Sequence, residues 1–139
     1  MGERLVDPLT AQAEIAYLDT DVVVWLAQGS LELISPRAAA LINAASLLIS
    51  SMVLVELELR HEKSRIELPT RDIERKILHT NAVQVCNLPF PSIANAALDE
   101  KWTRDPFDRL IVANAKANGF AWLISADEVI HKHYPRTVW

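Results

Sequence analysis

Four acidic side chains, Asp19, Glu56, Asp108 and Asp127, stand where oxygen ligands for a hard divalent cation would be wanted, and a fifth, Asp105, lies beside one of them. The densest stretch is Arg104-Asp105-Pro106-Phe107-Asp108-Arg109-Leu110-Ile111-Val112-Ala113, an acid pair at the mouth of an apolar helix. Proline suits the first helical position, where its missing N–H would go unsatisfied anyway, so Pro106 marks the start and Asp105 the cap. The helix is expected to run to about Asn118, with Gly119 as its stop. Asp105 and Asp108 are three apart, which puts them on one helix face about 5–6 Å apart at Cβ. One reading is purely structural: Asp105 caps, and Asp108 reciprocates as in a capping box. The other is that Asp108 serves a cation site.

The elements that would position these acids follow from the apolar pattern. Ile15–Leu18 reads as a buried strand ending in Asp19-Thr20-Asp21. Val22–Ala27 reads as a short helix closing near Gly29, with strand as an alternative because of its three valines. Ser35-Pro36 opens a helix through Ala45, and Ser46–Ile49 is a second strand. Ser50-Ser51 then begins a helix from Met52 to about Lys63 that carries Glu56 among Val53, Leu54, Val55, Leu57 and Leu59. Arg65–Pro69 is a link, Thr70 is expected to cap a polar helix from Arg71 to about His79, and Val83–Val85 is a third strand. After the break at Leu88-Pro89-Phe90-Pro91, Ser92 is expected to open a helix from Ile93 to about Asp99. Ala121–Ile124 is a fourth strand, followed by Ser125 and Glu128 at capping-box spacing, which would leave Asp127 free. A possible edge strand lies at 137–139.

Strands alternating with helices predict an α/β domain with a mainly parallel sheet. In such sheets ligands bind beyond the carboxyl ends of the strands. Asp19 and Asp127 follow strands directly, Glu56 follows one by a turn or two of helix, and Asp108 opens the helix leading into the fourth. Carboxylates gathered there repel by about 4 kcal/mol per pair at 4 Å and an effective dielectric of 20, unless cations or protons intervene. An all-oxygen site suits Mg²⁺ or Mn²⁺. Each acid also has a bland role open to it: turn residue for Asp19, solvated helix position for Glu56, first-turn acid for Asp127.

Composition narrows the alternatives. The 139 residues are 50% hydrophobic with a formal net charge of −4, which fits one folded domain over 1–139 and argues against nucleic-acid binding through overall charge. A leader over 1–13 is expected to be poorly ordered. No apolar run approaches the roughly 20 residues of a membrane span, and the start of the chain does not read as a signal peptide. The single cysteine, Cys86, fits a reducing cytoplasm and a buried, inert role. His131 and His133 are two apart, and His61 and His79 stand alone, which disfavours a histidine metal site. With three glycines there is no phosphate loop, and no Gly-x-Ser-x-Gly elbow is present.

Tyr17-Leu18-Asp19-Thr20, Ser50 to Glu56-Leu57, Arg104-Asp105-Pro106-Phe107-Asp108-Arg109-Leu110-Ile111 and Ser125-Ala126-Asp127 resemble the ordered acidic motifs of PIN domains, most closely the VapC toxins of type II toxin–antitoxin pairs. The resemblance spans Ile15 to Trp139. It implies a three-layer α/β/α sandwich, Mg²⁺-dependent endoribonuclease activity through metal-activated water, a VapB-type antitoxin and a homodimer. It also implies Asp19, Glu56 and Asp108 as metal ligands, with Asp127 as the fourth acid. Asp105, Thr20, Ser125 and Asp21 would support these; Asp21 departs from the asparagine usual in such toxins. Arg104, Arg109, Arg60 and Lys63 are candidate RNA contacts, and Trp25, Leu26 and Leu33 candidate partner contacts. A non-catalytic PIN-like binding module and a DNA-directed PIN nuclease are the competing readings.

Overall fold

The computed structural model describes residues 14–139; the leader expected over 1–13 lies outside the described residues. Five strands form an all-parallel sheet in the order β3-β2-β1-β4-β5: β1 Ile15–Leu18, β2 Ser46–Ile49, β3 Gln84–Val85, β4 Trp122–Ile124 and β5 Thr137–Val138. The described helices are α1 Thr20–Gln28, α2 Pro36–Ala44, α3 Ser51–Glu62, α4 Thr70–Asn81, α5 Phe90–Ala97, α6 Pro106–Ala117 and α7 Glu128–His133, with a short 3₁₀ turn at Leu31–Leu33. Together they make the α/β domain with a parallel sheet that the alternating pattern predicts and the three-layer α/β/α sandwich that the resemblance implies.

The central strands are apolar without alternation, as strands covered on both faces must be. Ala16, Tyr17, Leu18, Leu123 and Ile124 are all fully buried. In α1 the valines that favoured a strand are overridden by context. Asp19 caps the helix, Val22, Val23 and Val24 are buried, and Gly29 closes it in the left-handed region at φ 74°. In α6, Ile111 to Ala115 are buried without interruption, and α5 lies along it. Trp25 and Leu26 are half-buried against the core, while Leu33 stays exposed.

Three boundary expectations fail for local reasons. Thr70 does not cap α4: the helix starts at Thr70 itself after Pro69, and the Thr70 hydroxyl is buried without a partner among the described residues. The fifth helix begins at Phe90, because Pro91 falls in a first turn where its missing N–H costs nothing. Ser125 does not cap α7; Asp127 does, accepting from the Val129 and Ile130 N–H groups at 2.8 and 3.0 Å.

Candidate active site

Strand order reverses about β1: its chain successor β2 lies on one side and β4 on the other, so the crevice between the carboxyl ends of β1 and β4 is a topological switch point. The register pairs Leu18 with Ile124, so the next residues, Asp19 and Ser125, meet at that crevice. The Asp19 N–H donates to the Ile124 carbonyl at 3.0 Å. The Ser125 hydroxyl donates to Asp19 Oδ2 at 2.6 Å, and Thr20 N–H donates to Oδ1 at 2.8 Å. Asp19 is only 9% exposed. Burial pushes its pKa up to about 6, against the opposing pull of the Ser125 and Thr20 hydrogen bonds, with the charges of Asp21 and Glu56 adding to the rise. Ser125 also accepts from the Asp127 N–H at 3.0 Å, so one hydroxyl ties the cap of α7 to the buried acid.

At the start of α6, Asp105 Oδ1 accepts from the Phe107 and Asp108 N–H groups at 2.8 and 3.2 Å. The reciprocal half of a capping box is absent. The Asp105 N–H donates instead to the Thr103 hydroxyl at 3.1 Å, and no side-chain donor among the described residues reaches the Asp108 carboxylate. Asp108 therefore faces other acids uncompensated. Burial, then the charges of Asp105, Asp19, Asp127 and Glu56, push its pKa up to about 7. This electrostatic signature brings together at one edge the four acids that the sequence singles out.

Glu56 reaches the same edge from α3, whose buried side carries Val53 and Leu57 while Val55 and Leu59 are exposed. Both of its oxygens are engaged: the Thr20 hydroxyl donates to Oε1 at 2.5 Å and Arg60 Nη2 to Oε2 at 3.1 Å. Arg60 also pairs with Asp21 at 2.7 Å. Burial alone would lower the Arg60 pKa, but the Asp21 hydrogen bond and the two carboxylate charges raise it. A cleft of about 520 Å³ opens beside this pair, lined by Asp21, Glu56, Arg60, Lys63, Asp105 and Phe107 among others. Of the expected RNA contacts, Lys63 lines that cleft and Arg104 is exposed. Arg109 is turned elsewhere, its Nε donating to the Ala97 carbonyl at 2.8 Å at the end of α5.

The model of the PIN domain matches residues 16–135, most of the chain and all of the acids just described. The chain belongs to the PIN domain family. PIN domains are nucleases, which makes hydrolysis of nucleic acid the activity that membership supports. Two solved structures share the fold. One is the crystal structure of VapBC2 from Rickettsia felis bound to a DNA fragment from their promoter, at 21% identity and TM-score 0.60. The other is a toxin–antitoxin complex from Klebsiella pneumoniae, at 19% identity and TM-score 0.56. Each likeness covers 89% of this chain and 96% of the other. No curated protein matches the chain.

A PIN nuclease uses a divalent metal, and the donor set here is chemically suited to one: carboxylate and hydroxyl oxygens only, with acids crowded around Asp108 and a guanidinium already paired with Glu56. The spacing is another matter. Among the described residues no three His, Cys, Asp or Glu side chains converge closely enough to chelate an ion as they stand. This PIN domain also holds polar contacts that sequence reading missed. Glu100, 1% exposed, pairs with Lys116 at 2.5 Å and accepts from the Trp102 indole at 2.8 Å, bracing the loop before Asp105. Nothing in the sequence marks Glu100 as buried. The Glu56–Arg60 spacing, by contrast, is a readable i,i+4 pair.

Proposed function

We propose that this PIN domain is a VapC-type toxin, an endoribonuclease that requires Mg²⁺, accepts Mn²⁺, acts in the cytoplasm as a homodimer and is restrained by a VapB-type antitoxin. The observation that carries the reading is the environment of Asp108, a carboxyl whose pKa is pushed up to about 7 by burial first and then by four neighbouring acids at the carboxyl edge of a parallel sheet. Asp19, Glu56 and Asp108 would hold the cation, with Asp127 as the fourth acid. A bound divalent cation supplies Lewis acidity, a more acidic water and relief of charge on the scissile phosphate.

The remaining work belongs to the chain. Ser125 and the Thr20 N–H fix the rotamer of the buried Asp19, and the Thr20 hydroxyl orients Glu56. Asp105 fixes the start of α6 and hence the aim of Asp108. Lys63 and Arg104, at the rim, would meet phosphates flanking the cleavage point. The toxin–antitoxin reading draws support from the two structural neighbours, whose names speak of VapBC2 and of a toxin–antitoxin complex.

Asp19→Ala and Asp108→Ala, assayed against RNA and DNA with Mg²⁺, test the reading. Loss of RNA cleavage by at least about a hundredfold in both is expected, as for removal of a group that acts on the transition state. Wild-type rates in either variant would refute the assignment, and cleavage of DNA alone would favour a DNA-directed nuclease. That no three of the described acids converge on one point favours one second reading, a non-catalytic binding module in which Arg60 occupies Glu56 and Asp21.

A further inference from the structure

Glu56 and Asp21 project from different helices, and one guanidinium joins them. Arg60 Nη1 lies 2.7 Å from Asp21 Oδ1, and Nη2 lies 3.1 Å from Glu56 Oε2. Asp21 is 57% exposed at its side chain and does not need neutralising; water would serve it as well. Its effect is geometric, because a planar guanidinium held at two points has a fixed orientation, which an ammonium on a flexible stem lacks. With the Thr20 hydroxyl on Oε1, no oxygen of Glu56 is left unengaged. Lys63 and Arg65 line the same cleft yet form no ion pair with a described carboxylate.

We infer that Arg60 is a resident counter-cation, tethered by Asp21 across the acid edge, which a divalent cation must displace from Glu56. The inference rests on the metal-site reading above and adds a regulatory element to it. The guanidinium and the ion cannot share Glu56 Oε2, so apparent metal affinity is reduced by the fraction of molecules in which Arg60 is docked. The same contact offsets part of the charge of Glu56 and Asp21 when no ion is bound. Asp21 thereby acquires a role: by lengthening the residence of Arg60, it raises the metal concentration at which the site fills.

The test is Mn²⁺ binding by calorimetry on the full chain, comparing wild type with Arg60→Gln, Arg60→Lys, Lys63→Gln and Asp108→Asn, each checked for folding by circular dichroism. Arg60→Gln is expected to bind roughly tenfold more tightly, and Arg60→Lys, which keeps the charge but cannot span both carboxylates, by a smaller factor. Lys63→Gln should change affinity less than about twofold, which separates the bridge from a general charge effect. Wild-type or weaker affinity in Arg60→Gln overturns the inference, as does an equal gain in Lys63→Gln. If Asp108→Asn binds Mn²⁺ as wild type does, the metal-site reading fails instead. Should wild type bind too weakly to measure, binding gained in Arg60→Gln supports the inference and its absence overturns it.

Discussion

Asp108 has a folded-state pKa near 7 against an ordinary 3.8, so the native state holds a proton there that the unfolded chain releases. A raised carboxyl pKa contributes stability that is complete below the unfolded value and is lost as pH rises through the folded one. For Asp108 that window runs from about 4 to about 7, and Asp19, at about 6, adds to it. In EDTA, therefore, Asp108→Asn should be more stable than wild type at pH 8 by on the order of 1–2 kcal/mol after discounting for solvent, with a smaller gain at pH 5, by urea titration. Equal stability at both pH values would contradict the crowding of charge around Asp108. Ser125→Ala removes a donor from a buried carboxylate and should cost about 1–3 kcal/mol, more at pH 8 than at pH 5 because the Asp19 pKa climbs further. Asp19, Asp108 and Asp127 were legible because each follows a strand or opens a helix, positions that sequence patterns mark, and Glu56, in mid-helix, because it is an acid among apolar neighbours. Their hydrogen-bond partners were not. The bond from Ser125 to Asp19 spans 106 residues and the bridge from Arg60 to Asp21 spans 39, and no local rule chooses between such partners and nearer ones.

At the scale of elements, local chemistry and tertiary burial contest each boundary. Where cap and apolar face agree, as at Asp105-Pro106 or Ser35-Pro36, the sequence locates the helix to within a residue. Where they compete, burial prevails: Ser125 has the spacing of a cap but is drawn to Asp19, and Asp127 takes its place on α7. The three valines of α1 illustrate the same point, since a β-branched run becomes helical when its side chains fill the core. The C-terminus of α4 shows an unresolved conflict. Ala82 stands there in the left-handed region at φ 57°, a conformation that suits glycine. Ala82→Gly should stabilise the protein by up to about 1 kcal/mol, read as a rise in the urea midpoint with unchanged slope. A loss of stability would mean that the unfolded-state entropy of glycine outweighs the relief at this cap.

Over the whole molecule, a net charge of −4 hides an uneven distribution. Acids concentrate at the switch point between β1 and β4, while Lys63 and Arg65 line the cleft beside it. Such an edge repels the phosphates of a nucleic acid unless a cation intervenes, and the carboxylates repel one another for the same reason, so under the proposed function substrate binding and metal binding would be coupled. No described helix is long and apolar enough to cross a membrane. The parallel sheet was legible as a whole because its strands are continuous apolar runs separated by helices; the two-residue strands β3 and β5, at its edges, were the hardest to delimit. Under the proposed function this PIN domain cleaves RNA through a cation held at Asp19, Glu56 and Asp108. The most direct measurement is incubation of purified, antitoxin-free protein with total tRNA and rRNA in Mg²⁺, in EDTA, and in EDTA followed by excess Mg²⁺, beside Asp108→Asn. Discrete fragments that vanish in EDTA, return with Mg²⁺ and never form with Asp108→Asn are the expected result. Fragments that persist in EDTA, or that Asp108→Asn produces at the wild-type rate, would contradict it.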